Sequence, residues 1–190
     1  MQTTSPNPSE AKAPSHDWTI DASHSHVGFS VRHLMIANVR GEFTKLSGTV
    51  TWDPARPEAT RIDVEIDVAS INTREEKRDA HLRSGDFFDA EQFPKITYRS
   101  RGAGRSKNGN IEVVGDLTIH GVTRVVVLDV EGPTPEQNDP WGNTRIAASA
   151  RTVIKRSEFG MTWNSALETG GVLVGDDIKI ELEVELQKNK

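Results

Sequence analysis

The chain has 190 residues, of which 35% are hydrophobic and 27% charged, a composition typical of a single globular domain. Its formal net charge of -5 and the absence of a long basic block argue against a nucleic-acid partner, because phosphate binding depends on Lys and Arg. The chain contains no cysteine, which excludes disulfides and thiol chemistry.

The N-terminal segment is rich in Ser, Thr, Pro and Asn, and it lacks the apolar run of ~7–15 residues that an export signal needs. We therefore expect a disordered leader at 1–16, one folded domain at 17–188 and a cytoplasmic location. The alternative to that location is a natural export signal that this sequence does not include.

Apolar and polar residues alternate along much of the chain, which is the pattern of half-buried β-strands. Segment 27–33 has its apolar side chains at odd positions, whereas 62–68 and 178–186 have them at even positions. Further strand candidates, separated by turn signals such as Asn108-Gly109 and Gly132-Pro133, cover 39–52, 95–101, 111–120, 123–131 and 144–156. The pattern thus predicts about eight strands.

One segment departs from the alternation. Thr73 and Glu76 have the spacing of a capping box, and Gly85 supplies a stop, so we predict a short helix near 74–84. Because this segment contains only two apolar residues, the helix is expected to lie on the surface.

Eight amphipathic strands with almost no helix between them indicate antiparallel pairing, since parallel strands need long crossovers. A sandwich and a barrel both fit the count. The predicted strands are long compared with the usual length of about 5–6 residues, and long strands suit a tilted, closed barrel. We therefore predict an all-β fold, an extended eight-stranded antiparallel barrel with one short surface helix.

Large apolar side chains on the predicted inner face suggest a ligand site. At about 0.8 kcal/mol per buried CH2, a five-carbon prenyl unit gains roughly 3–4 kcal/mol before ordering costs, so a long apolar chain needs little polar recognition. An ordinary filled core is the alternative reading. The predicted ligand-binding residues are Phe29, Val31, His33, Phe43, Val50, Trp52, Tyr98 and Trp163, with Phe87, Phe88 and Phe93 near an opening.

The acidic residues of 63–67 and 181–185 do not resemble a catalytic pair. They alternate with apolar residues, which places them on the solvated outer face, where nothing raises a carboxyl pKa towards neutrality. The chain also lacks a cysteine nucleophile, a Gly-x-Ser-x-Gly elbow and a glycine-rich phosphate loop. We therefore predict no catalytic residues, no enzyme activity and no cofactor other than a bound lipid.

Histidines suggest an alternative function as a metal-binding protein or metalloenzyme. His24 and His26 have the spacing of two ligands on one strand face. If the strand runs straight, His33 faces the other side, where it either contacts a ligand's polar head or binds a backbone carbonyl. Spacing does not bring His81 or His120 to either group, so no metal site is predicted.

Six segments in this order resemble the motifs of the YceI-like family of lipid-binding proteins. They are WTID at 18–21, HSHVGFSVRH at 24–33, GEF at 41–43, DAHLRSGDFFD at 79–89, GDLTIHGVTR at 115–124 and RSEFGM at 156–161. Each is weak alone, but their order and joint presence are specific.

The resemblance implies a lipocalin-like barrel whose interior binds polyisoprenoid chains or similar amphiphiles. It also implies transport, storage or sequestration of an isoprenoid quinone or prenyl lipid without turnover. The expected partner is a long-chain isoprenoid lipid, with transient membrane contact during lipid exchange, and a homodimer is left open. Many relatives are exported, whereas this sequence shows no signal.

Overall fold

The computed structural model describes residues 17–190, so the predicted leader at 1–16 lies outside the described residues. The described chain contains one α-helix, α1 (Glu76–Arg83). Its strands are β1 (Asp17–Ile20), β2 (His26–His33), β3 (Ala37–Phe43), β4 (Leu46–Thr51), β5 (Arg61–Asp67), β6 (Ile71–Asn72), β7 (Lys95–Arg105), β8 (Ile111–Ile119), β9 (Val122–Glu131), β10 (Gln137–Asn138), β11 (Thr144–Lys155) and β12 (Val174–Lys188).

These strands form a closed, eight-stranded antiparallel barrel. Four of the eight are interrupted, so that each consists of two shorter strands in line. These are β1 and β2, β3 and β4, β5 and β6, and β9 and β10. The two parts of each pair in turn with one neighbouring strand or with its two parts. Each long strand pairs with the next one along the chain. β12 then pairs with β11 on one side and with β1 and β2 on the other, which closes the barrel. The predicted all-β barrel is confirmed.

The interruptions are what the sequence pattern did not show. The predicted strand at 39–52 is two strands, because the chain bends at Thr44 and Lys45, where both residues bond to Ser70. β1 and β6 are too short to give a recognisable alternation, yet β1 supplies part of the closing pair with β12. Strand alternation therefore predicted the number of long strands but not their breaks.

The predicted short helix is present, but its cap is different. The side chain of Glu75 accepts hydrogen bonds from the backbone N–H groups of Lys77 (3.1 Å) and Arg78 (2.7 Å), so Glu75 is the N-cap. Thr73 instead donates its N–H (2.9 Å) and its hydroxyl to the buried carboxylate of Asp79. The predicted Thr73–Glu76 capping box is wrong, because Asp79 is the residue that Thr73 contacts.

The barrel has two different ends. The end that carries α1, the β2–β3 turn at 34–36 and the β11–β12 connection at 156–173 is called the helix end below. The opposite end carries β1 and the turn at 139–143 and is called the hairpin end. Among residues 17–190, no helix is long and apolar enough to cross a bilayer.

Candidate functional site

A cavity of about 260 Å³ occupies the interior of the barrel. At roughly 30 Å³ of liquid volume for each water molecule, this volume corresponds to on the order of ten waters, far more than a packing defect. All eight long strands and the segments at the helix end contribute to its wall. The barrel is therefore hollow rather than filled by its own side chains.

The wall of the cavity is almost entirely apolar, and hardly any polar atom faces the interior. The inward residues of the most regular strands show why, since β5 and β12 turn every second side chain inwards. From these two strands the wall includes Ile62, Val64, Ile66, Ile178, Ile180, Leu182, Val184 and Leu186. A polar group placed in this space would lose its hydrogen bonds to water without replacement.

The hairpin end of the cavity is closed by a compact apolar cluster of Trp18, Ile20, Ile146 and Leu186. Trp18 is 1% exposed and is among the largest fully buried side chains. Its neighbour across the sheet, Val50, lines the cavity. A ligand in the barrel therefore meets a closed end here.

An ion network lies next to this closed end. Arg145 donates from Nη1 to Asp21 (2.6 Å) and to Glu185, and from Nε to Asp139 (2.9 Å). The Arg145 guanidinium, with hydrogen bonds from Ser23 and His24, holds the pKa of Asp21 well below its usual range. Three segments distant in sequence, at residue 21, at 139–145 and at residue 185, are thus tied together at the hairpin end.

Aromatic rings form the wall near the helix end. The rings of Phe29 and Phe43 lie 5.7 Å apart between centroids, and Phe43 meets Phe88 edge-on, also at 5.7 Å. Phe87 lies beside them in the wall and packs against Trp163 at 5.3 Å. Leu82 of α1 also reaches the cavity, so the helix and the segment after it cover this end.

Arg156 is a buried cation at the same end, 5% exposed, and it contacts carbonyls rather than carboxylates. It donates to the carbonyls of Met161 (2.7 Å), Trp163 (2.8 Å), Gly175 (2.9 Å) and Val174 (3.3 Å). Burial lowers the pKa of its guanidinium. These bonds fasten the β11–β12 connection to the start of β12 and fix the shape of the wall there.

Seven of the eleven predicted ligand-binding residues line the cavity. They are Phe29, Val31, Phe43, Val50, Phe87, Phe88 and Tyr98. Tyr98 turns its hydroxyl away, donating it to the carbonyl of Val113 (3.0 Å), and burial raises the pKa of this phenol. The Tyr98 hydroxyl is therefore satisfied by the backbone and is not offered to a ligand.

The other four predicted residues are not part of the wall. His33 is the last residue of β2 and pairs with Ala37 and with Val174; Val174 lines the cavity, but His33 does not. Trp52 follows the end of β4 and packs against both the Trp18 cluster and the larger buried core of the barrel. The rings of Phe93 and Trp163 pack on His120 (4.9 Å) and His81 (4.8 Å), outside the lining. The alternation along a strand predicts which face of the sheet a side chain lies on, but it does not predict how far the cavity extends along the strand.

Several wall residues were not predicted as ligand contacts. The inward residues of β5 and β12 are the largest group, and their clean alternation was the signal that identifies them. Ala148 and Ala150 of β11 also line the cavity, and their small side chains leave space at its side. Small residues at inward strand positions are therefore a sequence signal for a hollow barrel.

The histidines named in the metal hypothesis do not come together. His26 pairs with Glu42 (3.1 Å), His81 with Asp86 (2.8 Å), and His120 contacts the Phe159 carbonyl (3.3 Å). His24 lies before β2 rather than in the strand, so the straight-strand geometry assumed for His24 and His26 is wrong.

Within residues 17–190, one group of three suitable side chains is close enough for a metal, namely Asp21, His24 and Glu185. Arg145 already contacts both carboxylates of this group. The Asp21 carboxylate binds His24 (3.0 Å) and raises the pKa of its imidazole. The group is thus arranged as an ion network around a guanidinium.

Sequence comparisons agree on one relationship. The family model described as the YceI-like domain matches residues 18–186. A UPF0312 protein of Staphylococcus aureus (strain USA300) is 38% identical over 169 residues, which cover 89% of this chain and 96% of the relative. A UPF0312 protein of strain N315 is 37% identical over the same length and coverage.

The chain is also similar to solved structures of YceI proteins and related domains. A Campylobacter jejuni YceI protein is 34% identical, with a TM-score of 0.67 over 90% of this chain and 96% of that chain. Burkholderia cenocepacia BcnA is 26% identical, with a TM-score of 0.71 over 87% and 98%. A polyisoprenoid binding domain of Saccharophagus degradans shares the fold at 17% identity, with a TM-score of 0.66 over 92% of this chain and 99% of that chain.

Proposed function

This chain belongs to the YceI-like family, and from that premise we propose that it binds the hydrocarbon chain of a long isoprenoid lipid inside its barrel. The family and the apolar interior support lipid binding in general. The proposal adds the ligand class, a polyisoprenoid such as an isoprenoid quinone or a prenyl lipid, and a role in its transport, storage or sequestration.

The observation that carries the proposal is the apolar cavity in a closed barrel. Apolar cavities stay dry and bind hydrocarbon, because water finds no partners in them. Each prenyl unit that enters gains roughly 3–4 kcal/mol before ordering costs, at about 0.8 kcal/mol per buried CH2. Affinity can therefore come from chain length alone.

The dimensions of the wall favour a linear ligand. Its residues on β12 run from Val174 to Leu186, a length of roughly 40 Å along the strand at ~3.3 Å per residue. With a strand tilt of about 35–45°, this corresponds to roughly 30 Å along the barrel axis. A long chain fits such a space better than a compact ring system does.

The polar head of the ligand is proposed to stay at the helix end. The hairpin end is closed by Trp18 and its cluster, and the wall between offers almost no polar atom. A head group inside would be left without hydrogen bonds, whereas one outside the cover formed by α1 and the segment after it would keep its bonds to water. This arrangement would let one cavity accept chains with different heads.

Two further points support the ligand class. The Saccharophagus degradans domain of the same fold is a polyisoprenoid binding domain, so this fold accommodates such a chain. The carboxylate rows of β5 and β12 also lie on the outer face, and the cavity wall offers hardly any polar atom. We therefore propose a binding protein that releases its ligand chemically unchanged, exchanging it with a membrane.

The experiment is lipid analysis of the protein purified without detergent, followed by reloading. Organic extraction and mass spectrometry identify what the protein carries from the cell. The delipidated protein is then titrated with octaprenol and, for comparison, with oleic acid. We expect a co-purified isoprenoid and tighter binding of octaprenol.

Binding of neither probe by the folded protein would contradict lipid binding, and a preference for oleic acid would contradict the isoprenoid assignment. Native mass spectrometry of the same sample also counts subunits, which tests the homodimer that the sequence leaves open.

A further inference from the structure

The turn between β2 and β3 exposes three consecutive large apolar side chains. Leu34, Met35 and Ile36 are 37%, 50% and 76% exposed, and Val172 in the β11–β12 connection adds another apolar side chain at 38%. The two segments are adjacent, because the Leu34 N–H donates to the Leu173 carbonyl (2.9 Å). Leu34, Met35, Ile36 and Val172 are called the apolar tip below.

The backbone of this turn is unfavourable for its residues. Leu34 and Met35 have φ angles of 51° and 62°, in the left-handed region, and the Ile36 N–H donates to the His33 carbonyl (3.1 Å). Four-residue β-turns with positive φ at both central positions, here Leu34 and Met35, are dominated by Gly, Asn and Asp. Leu and Met are strained there and expose apolar surface, so neither turn chemistry nor core packing explains them.

The apolar tip adjoins the cavity. Val31 lines the cavity three residues before Leu34, and Val174 lines it two residues after Val172. Val174 also pairs with His33 at the base of the turn. A chain leaving the barrel at this end would pass directly from the cavity wall to the exposed apolar side chains.

Two exposed arginines near the turn suit an anionic surface. Arg32 and Arg40 lie on the outer face of β2 and β3, exposed, and neither forms an ion pair within the described residues. The Arg32 Nε–H donates to the Met35 carbonyl (3.2 Å), which braces the turn. The nearby carboxylates of Asp176 and Asp177 are engaged by Ser157 (2.8 Å) and Lys155 (3.6 Å).

We propose that the apolar tip inserts into the surface of a bilayer that contains anionic phospholipid, and that the isoprenoid chain enters and leaves the barrel there. This inference rests on the proposed function, because a polyisoprenoid is carried in membranes and is nearly insoluble in water. It adds the surface that docks and the end of the barrel through which the chain passes. Exposed apolar side chains flanked by arginines are suited to the interface of such a bilayer.

Another exposed apolar side chain supplies a matched control. Trp141 is 82% exposed in the turn before β11, at the hairpin end. β11 starts beside this turn and ends opposite Asp177, close to the apolar tip, so the two sites lie at opposite ends of the barrel. Docking through Trp141 would hold the closed end of the cavity against the membrane.

The test compares the wild-type chain with two variants. The tip variant combines Leu34→Asn, Met35→Gly and Ile36→Ser, which replaces the apolar turn by the sequence that its backbone favours, so its stability is expected to be kept or raised. The control variant is Trp141→Ser. Each protein is sedimented with vesicles of phosphatidylcholine, with and without phosphatidylglycerol, and its thermal unfolding is followed to confirm folding.

We expect wild type and Trp141→Ser to bind vesicles that contain phosphatidylglycerol, and the tip variant to bind at least about tenfold more weakly, because several buried CH2 groups are lost. Transfer of octaprenol from these vesicles should slow in parallel. Unchanged vesicle binding of a folded tip variant, loss of binding with Trp141→Ser instead, or equal binding to phosphatidylcholine alone would overturn the inference.

Loading from detergent separates the two proposals. If all three proteins take up octaprenol from detergent but the tip variant still docks like wild type, lipid binding stands and the apolar tip is rejected. If none takes up octaprenol while only the tip variant fails to sediment, the docking surface stands and the proposed ligand is rejected.

Discussion

Filling the cavity from its side provides the sharpest test of the proposed site. Ala150 on β11 lines the cavity and pairs with Leu182 and Val130, which also line it. Ala150→Phe directs a ring into this space without changing the strand, since Phe suits a β-strand well. A matched control is Val153→Phe on the same strand, where the side chain is 58% exposed on the outer face.

The expected effects on stability and on binding have opposite signs. In a filled core an added ring costs typically about 1–3 kcal/mol, whereas burying a Phe side chain in open apolar space contributes about 1.5–3 kcal/mol. Ala150→Phe should therefore leave the free energy of unfolding unchanged or raise it. Displacing one prenyl unit removes roughly 3–4 kcal/mol, which weakens octaprenol binding about 100- to 1,000-fold.

Urea unfolding of the delipidated protein measures the first effect, and octaprenol titration with mass spectrometry of the co-purified lipid measures the second. Val153→Phe should change neither by much. A loss of several kcal/mol in Ala150→Phe alone would show that the space is packed. Wild-type lipid binding by a folded Ala150→Phe protein would show that the ligand lies elsewhere.

Three other substitutions probe the wall and the closed end. Phe29→Asp puts a charge into the apolar wall and should abolish lipid retention, measured by mass spectrometry of the purified protein; a folded variant that keeps its lipid would refute the assignment. Trp18→Ala should lower the free energy of unfolding by about 3–5 kcal/mol in urea, because the side chain is fully buried; a smaller loss would mean that the end is not packed. Arg145→Met should return the Asp21 pKa towards its ordinary value of about 3.9. A lowered carboxyl pKa stabilises the fold above that ordinary value, and the benefit is lost as the pH falls below it. The variant should therefore be less stable than wild type at neutral pH but lose less stability under acid. If the free energy of unfolding of the variant falls with pH in parallel with that of wild type, this expectation is contradicted.

The strands could be predicted because their signal is local. Along β5 and β12 the alternation is regular, and it places the correct side chains inwards. Closure could not be predicted in this way, since it depends on β12 pairing with β1 and β2, more than a hundred residues earlier. The eight-stranded barrel and an open sandwich therefore have the same local pattern until that pairing is known.

The candidate site shows the same limit at the level of single residues. Phe29 and Val31 face inwards as the alternation predicted, but His33, two residues further on, does not line the cavity. The prediction from alternation was also wrong where the strand is interrupted, as at His24, which lies before β2. The boundaries of the cavity depend on what plugs each end, and these plugs are assembled from segments that are distant in sequence.

Residues at the two ends keep the barrel closed, whereas residues in the middle of the wall keep it hollow. At roughly 24 cal/mol per Å³, an apolar cavity of about 260 Å³ costs on the order of 6 kcal/mol. This is comparable with the whole stability of about 5–15 kcal/mol of a typical domain. The ends offset this cost, with Trp18 and the Arg145 network at one end and the carbonyl bonds of Arg156 at the other. For this reason substitutions at the ends should change stability, whereas substitutions in the middle of the wall should change ligand binding.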